Sequence, residues 1–135
     1  MNSLIIAAGK GKRIKEFTKK IPKSLIKINN KTILKRQIDF MKKNKIKKIS
    51  IVKGFRANKI KYKSIKYFYN LKYKKNEQLD SFFCAKEFFN EDIIVSFSDI
   101  IYDEEILKKM IKTKNAFTIA IQRDWKPKYK KRLTT

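Results

Sequence analysis

The sequence predicts an α/β fold, a sandwich with a mostly parallel sheet, and three observations carry that prediction. Short apolar runs at 3–8, 48–52 and 92–97 lead into a glycine, a glycine turn or an aspartate, as strands buried on both faces of a parallel sheet do. Stretches of helical period separate them, in the order βαβ, short β, αβαβ, which suits strands and helices alternating around one sheet. Gly9 and Gly11, Gly54 and Asp99 all fall at the C-terminal ends of these runs, where ligands sit on a parallel sheet.

The first run, 3–8, enters Gly9-Lys10-Gly11-Lys12-Arg13. Glycine occurs only at 9, 11 and 54, so two in one tripeptide mark a backbone of positive φ or a close approach to a ligand. Residues 9–20 form a loop, with a helical turn around 12–17. Ile21 is held extended by Pro22, because the residue before proline avoids the helical region. Alternation over 24–28 predicts a short strand, and Asn29-Asn30-Lys31 a turn. Thr32 is an N-cap, and Ile33, Leu34, Ile38 and Met41 share a face of a helix that runs to Lys43 and breaks at Asn44-Lys45. The strand at 48–52 then completes a right-handed parallel crossover. Within 55–78 a short strand is placed at 64–68, and Asp80 or Ser81 caps a helix through Phe89. The strand at 92–97 delivers Ser98-Asp99. Asp103 caps the next helix, with Glu104 and Glu105 in its first turn and Lys112 and Lys114 near its end, an order that complements the helix dipole. Residues 116–121 read as a further strand and 123–132 as irregular and cationic around Pro127. No repeat or linker divides the chain, which reads as one domain, 1–135.

A chain of 135 residues buries roughly two-thirds of its unfolded surface. Its 42% hydrophobic and 13% aromatic content is that of a globular protein. The net charge of +24, from 36 Lys+Arg against 12 Asp+Glu, admits two readings. One is a polyanionic partner. The other is compositional drift, favoured because the cations are nearly all lysine, spread along the whole chain and accompanied by other residues of AT-rich codons. Either way the positive field attracts phosphorylated substrates. The single cysteine, Cys84, excludes an internal disulfide. The absence of histidine excludes a His-based triad, a His general base and His-liganded zinc. Catalysis would fall to carboxylates, Lys, Arg, backbone amides or an oxygen-bound metal. The N-terminal apolar run is too short for a signal peptide and precedes its positive charge, and no run reaches ~20 apolar residues. The expected address is the cytoplasm.

The Gly9-x-Gly11-x-Arg13 loop is neither of two familiar fingerprints. A dinucleotide site needs a glycine where Ile14 stands, and a Walker A loop needs a terminal Gly-Lys-Ser/Thr. What remains is a set of backbone amides beside Lys10, Lys12 and Arg13, able to wrap a triphosphate with Arg13 as a bidentate clamp. A plain glycine turn among surface lysines is the alternative. Lys23 follows the rigid Pro22 and is either aimed at a phosphate or simply solvated. Asp99 ends an apolar strand with no cation beside it in sequence. It suits Mg²⁺, which takes one or two carboxylates plus substrate phosphates. As a helix cap it would be redundant with Asp103.

Taken together, Leu4-Ile5-Ile6-Ala7-Ala8-Gly9-x-Gly11-x-Arg13, Pro22-Lys23-Ser24-Leu25 and Asn30-Lys31-Thr32-Ile33-Leu34 resemble the opening of the sugar-phosphate and choline-phosphate nucleotidyltransferases. Val52-Lys53-Gly54-Phe55 is similar to the family's second strand and glycine turn. Ser96-Phe97-Ser98-Asp99-Ile100-Ile101-Tyr102 is similar to the strand that delivers its metal aspartate, with Ser98 where a glycine is usual. Gln78-Leu79-Asp80-Ser81-Phe82-Phe83-Cys84-Ala85 resembles the Asn-x-x-Ser-Leu-x-x-Ala segment of the choline-phosphate branch, and Asp124-Trp125 with Tyr129 and Arg132 points the same way.

The resemblance implies a GT-A-like three-layer sandwich and one reaction. The phosphate of an acceptor attacks the α-phosphorus of an NTP and pyrophosphate leaves. That chemistry needs charge neutralisation and in-line alignment rather than a side-chain nucleophile. By the same resemblance Ala7, Ala8, Gly9, Lys10, Gly11 and Lys12 hold base and phosphates, and Arg13 neutralises the β,γ-phosphates. Lys23 bridges the α-phosphate and the acceptor phosphate, Asp99 binds Mg²⁺, and Ser81, opening its helix, contacts the nucleotide. The expected substrates are CTP and a small phosphorylated acceptor such as phosphocholine. The alternatives are sugar-1-phosphate nucleotidyl transfer and a non-catalytic nucleotide- or polyanion-binding module. The last would want clustered arginines with exposed aromatics, and Arg13, Arg36, Arg56, Arg123 and Arg132 are scattered. No specific nucleic acid and no membrane span is expected, and nothing in the sequence sets the oligomeric state. Family members are longer, and their second metal carboxylate and most of the acceptor pocket follow the point where this chain stops. The chain therefore reads as the N-terminal nucleotide-binding portion, truncated at its C-terminus, either a fragment or a natural truncation.

Overall fold

The computed structural model describes residues 1–11, 14–75 and 78–124. Its centre is β1 (Asn2–Ala7), buried at every residue. β4 (Lys48–Lys53) and β6 (Ile93–Phe97) flank β1 in parallel, and β5 (Lys66–Tyr69) adds to β4, also in parallel, giving the order β5-β4-β1-β6. Leu4 thus sits between Ser50 and Val95. The apolar run at 4–7 within β1 follows from this position, since a central parallel strand has no solvent face.

Helices cover both faces and make the sandwich three-layered. On one side, Leu34, Ile38 and Met41 of α2 (Ile33–Lys43) and Leu107 of α4 (Glu104–Lys112) pack on Ile5, Ala7, Ile51 and Ile94. On the other, Ala85 and Phe88, which follow α3 (Gln78–Phe83), pack on Leu4, Val52 and Phe68. Each Leu, Ile, Val, Met or Phe among them contributes about 1.5–3 kcal/mol by leaving water. α2 starts where the sequence predicts, because the Thr32 hydroxyl accepts from the Lys35 N–H at 3.1 Å. It ends at Asn44, whose amide donates to the Phe40 carbonyl, and at Lys45, which turns to φ 61°. A minor hairpin joins β2 (Lys27–Ile28) to β3 (Lys31–Thr32). Its two turn residues, Asn29 and Asn30, both have positive φ, as a tight two-residue hairpin requires. None of the described helices is long and apolar enough to cross a membrane.

Several local expectations are corrected. Residues 24–28 are not one strand: Lys23–Leu25 is a 3-10 turn with Ser24 buried, and only Lys27–Ile28 is extended. The rigid Pro22, with Leu25 drawn to the core, favours the turn. The short strand in 55–78 starts two residues later than the pattern suggests, after Ser64 turns to φ 61°. Asp80 and Ser81 lie inside α3 rather than capping it, and the segment to Phe89 breaks into α3 and a 3-10 turn at Lys86–Phe88. Asp103 occupies the N-cap of α4 without a side-chain cap bond. Residues 116–121 form no strand; Phe117, Ile119 and Ile121 are exposed. Alternation supplies a face, not a partner, and among the described residues β6 has no neighbour on its outer side. That edge leaves Val95 and Phe97 partly exposed. Trp125, Tyr129 and Arg132 lie outside the described residues.

Candidate active site

The loops after β1, β4 and β6 meet at one edge of the sheet. Ala8, buried just past β1, accepts from the Phe55 N–H at 2.9 Å. Gly54 makes that contact possible: a Cβ there would come within 2.6 Å of the Ala8 carbonyl oxygen and 2.8 Å of Tyr73 Cβ. Behind it, the buried Lys53 donates to the Ile60 carbonyl and lies 3.6 Å from the Tyr67 ring centre. These contacts fold the 54–60 loop back on β4.

The two glycines of the first loop differ. Gly11 has φ +67°, and a Cβ would lie 3.1 Å from Thr18 Cγ2 and 3.4 Å from Lys23 Cβ. Gly11 thus has the expected positive φ, whereas Gly9 has neither a positive φ nor a protein neighbour within 4 Å, which leaves close approach to a ligand as its reading. The short α1 (Lys15–Thr18) closes the loop, with the Thr18 hydroxyl facing the Gly11 and Ile14 carbonyls at 3.2 Å. Lys10 is exposed, its ammonium 5.8 Å from the Phe55 ring centre. Lys12 and Arg13 lie outside the described residues.

Lys23 and Asp99 are in direct contact. The Lys23 ammonium donates to Asp99 Oδ2 at 2.6 Å, and both side chains are about one-third exposed. Lys23 is aimed from below by the buried Pro22, which enters at φ −60°, ψ 149°. Asp99 rides on the turn after β6, where the Ser98 N–H donates to the Ile6 carbonyl at 3.0 Å. Gly11, against Lys23, completes a small cluster of backbone turn, ammonium and carboxylate. Ser81 is not part of it. It is buried in α3, and its hydroxyl accepts from the Asn70 side-chain amide at 2.9 Å.

Among the described residues no three His, Cys, Asp or Glu side chains converge. One exposed carboxylate does fit Mg²⁺, which keeps several waters and takes its remaining ligands from phosphates.

One residue of this region was not singled out in the sequence. Gln37, on α2, is 2% exposed and donates to the carbonyls of Phe97 at 2.9 Å and Ile100 at 2.8 Å. Its own side-chain oxygen accepts from the Ser96 hydroxyl at 2.8 Å. A signal was present: an amide at a core-facing position of a helix, flanked by Leu34, Ile38 and Met41, needs buried partners.

Comparison with known proteins agrees with this architecture. The Nucleotidyl transferase family profile matches residues 2–130. The chain is 34% identical over 143 aligned residues to the CTP:phosphoglutamine cytidylyltransferase of Campylobacter jejuni, an alignment covering 98% of this chain and 56% of that protein. It is 32% identical over 123 residues to the choline-phosphate cytidylyltransferase of Haemophilus influenzae, covering 88% and 52%. Among solved structures, the CTP:phosphocholine cytidylyltransferase of Streptococcus pneumoniae superposes with a TM-score of 0.64 at 31% identity, over 73% of this chain and 44% of that one. The chain thus spans about half the length of the curated relatives it matches. With a parallel sheet, three loops gathered at its C-terminal edge and a family match along nearly its whole length, the chain belongs to the nucleotidyl transferase family.

Proposed function

We propose that this chain is the nucleotide-binding portion of a Mg²⁺-dependent cytidylyltransferase, which moves CMP from CTP to a small phosphorylated acceptor such as phosphocholine. The observation that carries the reading is the Lys23–Asp99 contact beside the Gly11 turn. It brings together, from 76 residues apart in sequence, the cation and the carboxylate to which this reading gives phosphate and metal binding. The relatives named for CTP and for phosphorylated acceptors supply the choice of base and acceptor class.

In this mechanism an acceptor phosphate oxygen forms a bond to the α-phosphorus while the bond from that phosphorus to the bridging oxygen breaks, releasing pyrophosphate. The backbone of Ala7, Ala8, Gly9, Lys10 and Gly11 holds base and triphosphate, and Lys12 and Arg13 offset charge on the β,γ-phosphates. An ammonium has three donors, so Lys23 keeps its bond to Asp99 and still reaches the α-phosphate and the acceptor phosphate. Asp99 would hold Mg²⁺, which when bound neutralises phosphate charge and fixes the leaving group. Ser81 enters by resemblance, with its hydroxyl already engaged by Asn70. No histidine is needed, because alignment and charge neutralisation supply the rate.

The test is pyrophosphate release from CTP, UTP, ATP and dTTP, each with phosphocholine, aminoethylphosphonate and sugar-1-phosphates, with and without Mg²⁺. Release from CTP with a phospho-alcohol or phosphonate, only when Mg²⁺ is present, is expected. No turnover with any pair, together with salt-sensitive DNA binding, overturns the proposal in favour of a polyanion-binding module.

A further inference from the structure

The Asp99 turn is fastened from two sides. β1 holds it through the Ile6 carbonyl, which accepts from the Ser98 N–H. α2 holds it through Gln37, whose three hydrogen bonds go to residues 96, 97 and 100, bracketing Asp99 along the chain. We infer that Gln37 is a positioning residue that fixes the Asp99 carboxylate for the metal–nucleotide complex. This rests on the proposed function and adds a member to its site.

The chemistry demands an amide at this place. Two carbonyls and a hydroxyl converge on one buried point, so the filler needs two donors and one acceptor without net charge. Glutamine supplies all three. A carboxylate would face two carbonyl oxygens, and an apolar side chain would take a donor from both carbonyls, leaving Phe97 only the Ile100 N–H at 3.3 Å, and would remove the acceptor of the Ser96 hydroxyl. Because the backbone is held both before and after residue 99, the carboxylate keeps only its side-chain torsions as freedom. Those are then set by Lys23. An outer group that orients a metal ligand is worth about 10–100-fold in metal affinity.

The experiment measures Mn²⁺ binding to the full chain by electron paramagnetic resonance, with saturating CTP, alongside CTP affinity without metal. Gln37→Met should weaken Mn²⁺ binding by about tenfold or more and leave metal-free CTP affinity unchanged. Ile38→Val, a core change on the same helix that touches none of these bonds, should leave both unchanged. Ser96→Ala removes the donor to the Gln37 oxygen and should weaken Mn²⁺ in the same direction by a smaller factor. It decides the matter if Gln37→Met does not fold. Asp99→Asn is the reference for loss of the metal. If Asp99→Asn weakens Mn²⁺ while both Gln37→Met and Ser96→Ala retain it, the inference is wrong. Equal losses in Gln37→Met and Ile38→Val overturn it too, as a general packing effect. If wild type and Asp99→Asn bind Mn²⁺ alike, the functional reading itself fails, and this inference with it.

Discussion

Gly54→Ala is the substitution whose outcome the structure specifies most fully. The new methyl would sit 2.6 Å from the Ala8 carbonyl oxygen, 2.8 Å from Tyr73 Cβ and 2.9 Å from Ala8 Cβ. All three separations are well inside van der Waals contact, and one neighbour is backbone, so no rotamer change relieves them. Either the β4 loop moves away from β1, breaking the Phe55–Ala8 hydrogen bond, or the loop after β1 moves. Overpacking of this kind costs about 1–3 kcal/mol, and loss of a buried backbone hydrogen bond adds about 1 kcal/mol. For a domain of this size that is a Tm lower by roughly 5–15 °C. Thermal melts and urea titrations followed by far-UV circular dichroism give the value. Gly9→Ala is the matched control: it meets nothing within 4 Å and should melt with wild type. If it nevertheless weakens CTP binding, the space beside Gly9 belongs to the ligand. Equal melting temperatures for Gly54→Ala and wild type, or a Gly9→Ala melt as low as that of Gly54→Ala, would refute the packing argument.

Three further outcomes are expected. Asp99→Asn should abolish Mg²⁺-dependent pyrophosphate release with an unchanged circular dichroism spectrum, and retained turnover would remove Asp99 from the site. Lys23→Met should lower turnover by about 10²–10³-fold, the usual loss for one charge-stabilising donor. Its urea midpoint should barely move, because a partly exposed ion pair is worth at most about 1 kcal/mol. At the α2–α4 contact, the hydrogen bond from Lys43 holds the Glu104 carboxyl below its ordinary value, and burial opposes that only in part. A depressed carboxyl stabilises the fold in full above its unfolded value and loses that effect as pH falls through the folded one. Glu104→Gln should therefore be less stable than wild type at pH 7, with the gap closing as the pH falls below the ordinary glutamate value of 4.5; urea midpoints across a pH series check the sign.

Much of this molecule could be read in the chain because its central strand carries an unbroken apolar run at 4–7. A run such as Leu4-Ile5-Ile6-Ala7 has few places to go other than the middle of a parallel sheet, and its neighbours 48–53 and 93–97 repeat the pattern. Thr32 and Asn29-Asn30 were legible because caps and tight turns depend on a few adjacent atoms. What stayed hidden depends on distant partners. Alternation at 116–121 describes a strand's face but cannot supply the strand beside it. Ser81 reads as a helix start until Asn70, eleven residues earlier, is seen to claim its hydroxyl. The Lys23–Asp99 contact has no local signature at all, since it forms only when the loop ahead of α2 and the end of β6 arrive at the same edge. Gln37 lay between: its position among Leu34, Ile38 and Met41 signalled a buried amide, but not which carbonyls it would find.

Among the described residues the outer side of β6 is open, which bears on how the protein behaves at high concentration. An edge strand with exposed apolar side chains, here Val95 and Phe97, is a template for pairing with another chain. Two molecules each carrying +24 repel one another before such edges can touch. The range of that repulsion is about 10 Å at 0.1 M salt and about 3 Å at 1 M. Its colloidal stability is therefore set by ionic strength, and concentrated salt removes the barrier while leaving the adhesive edge in place.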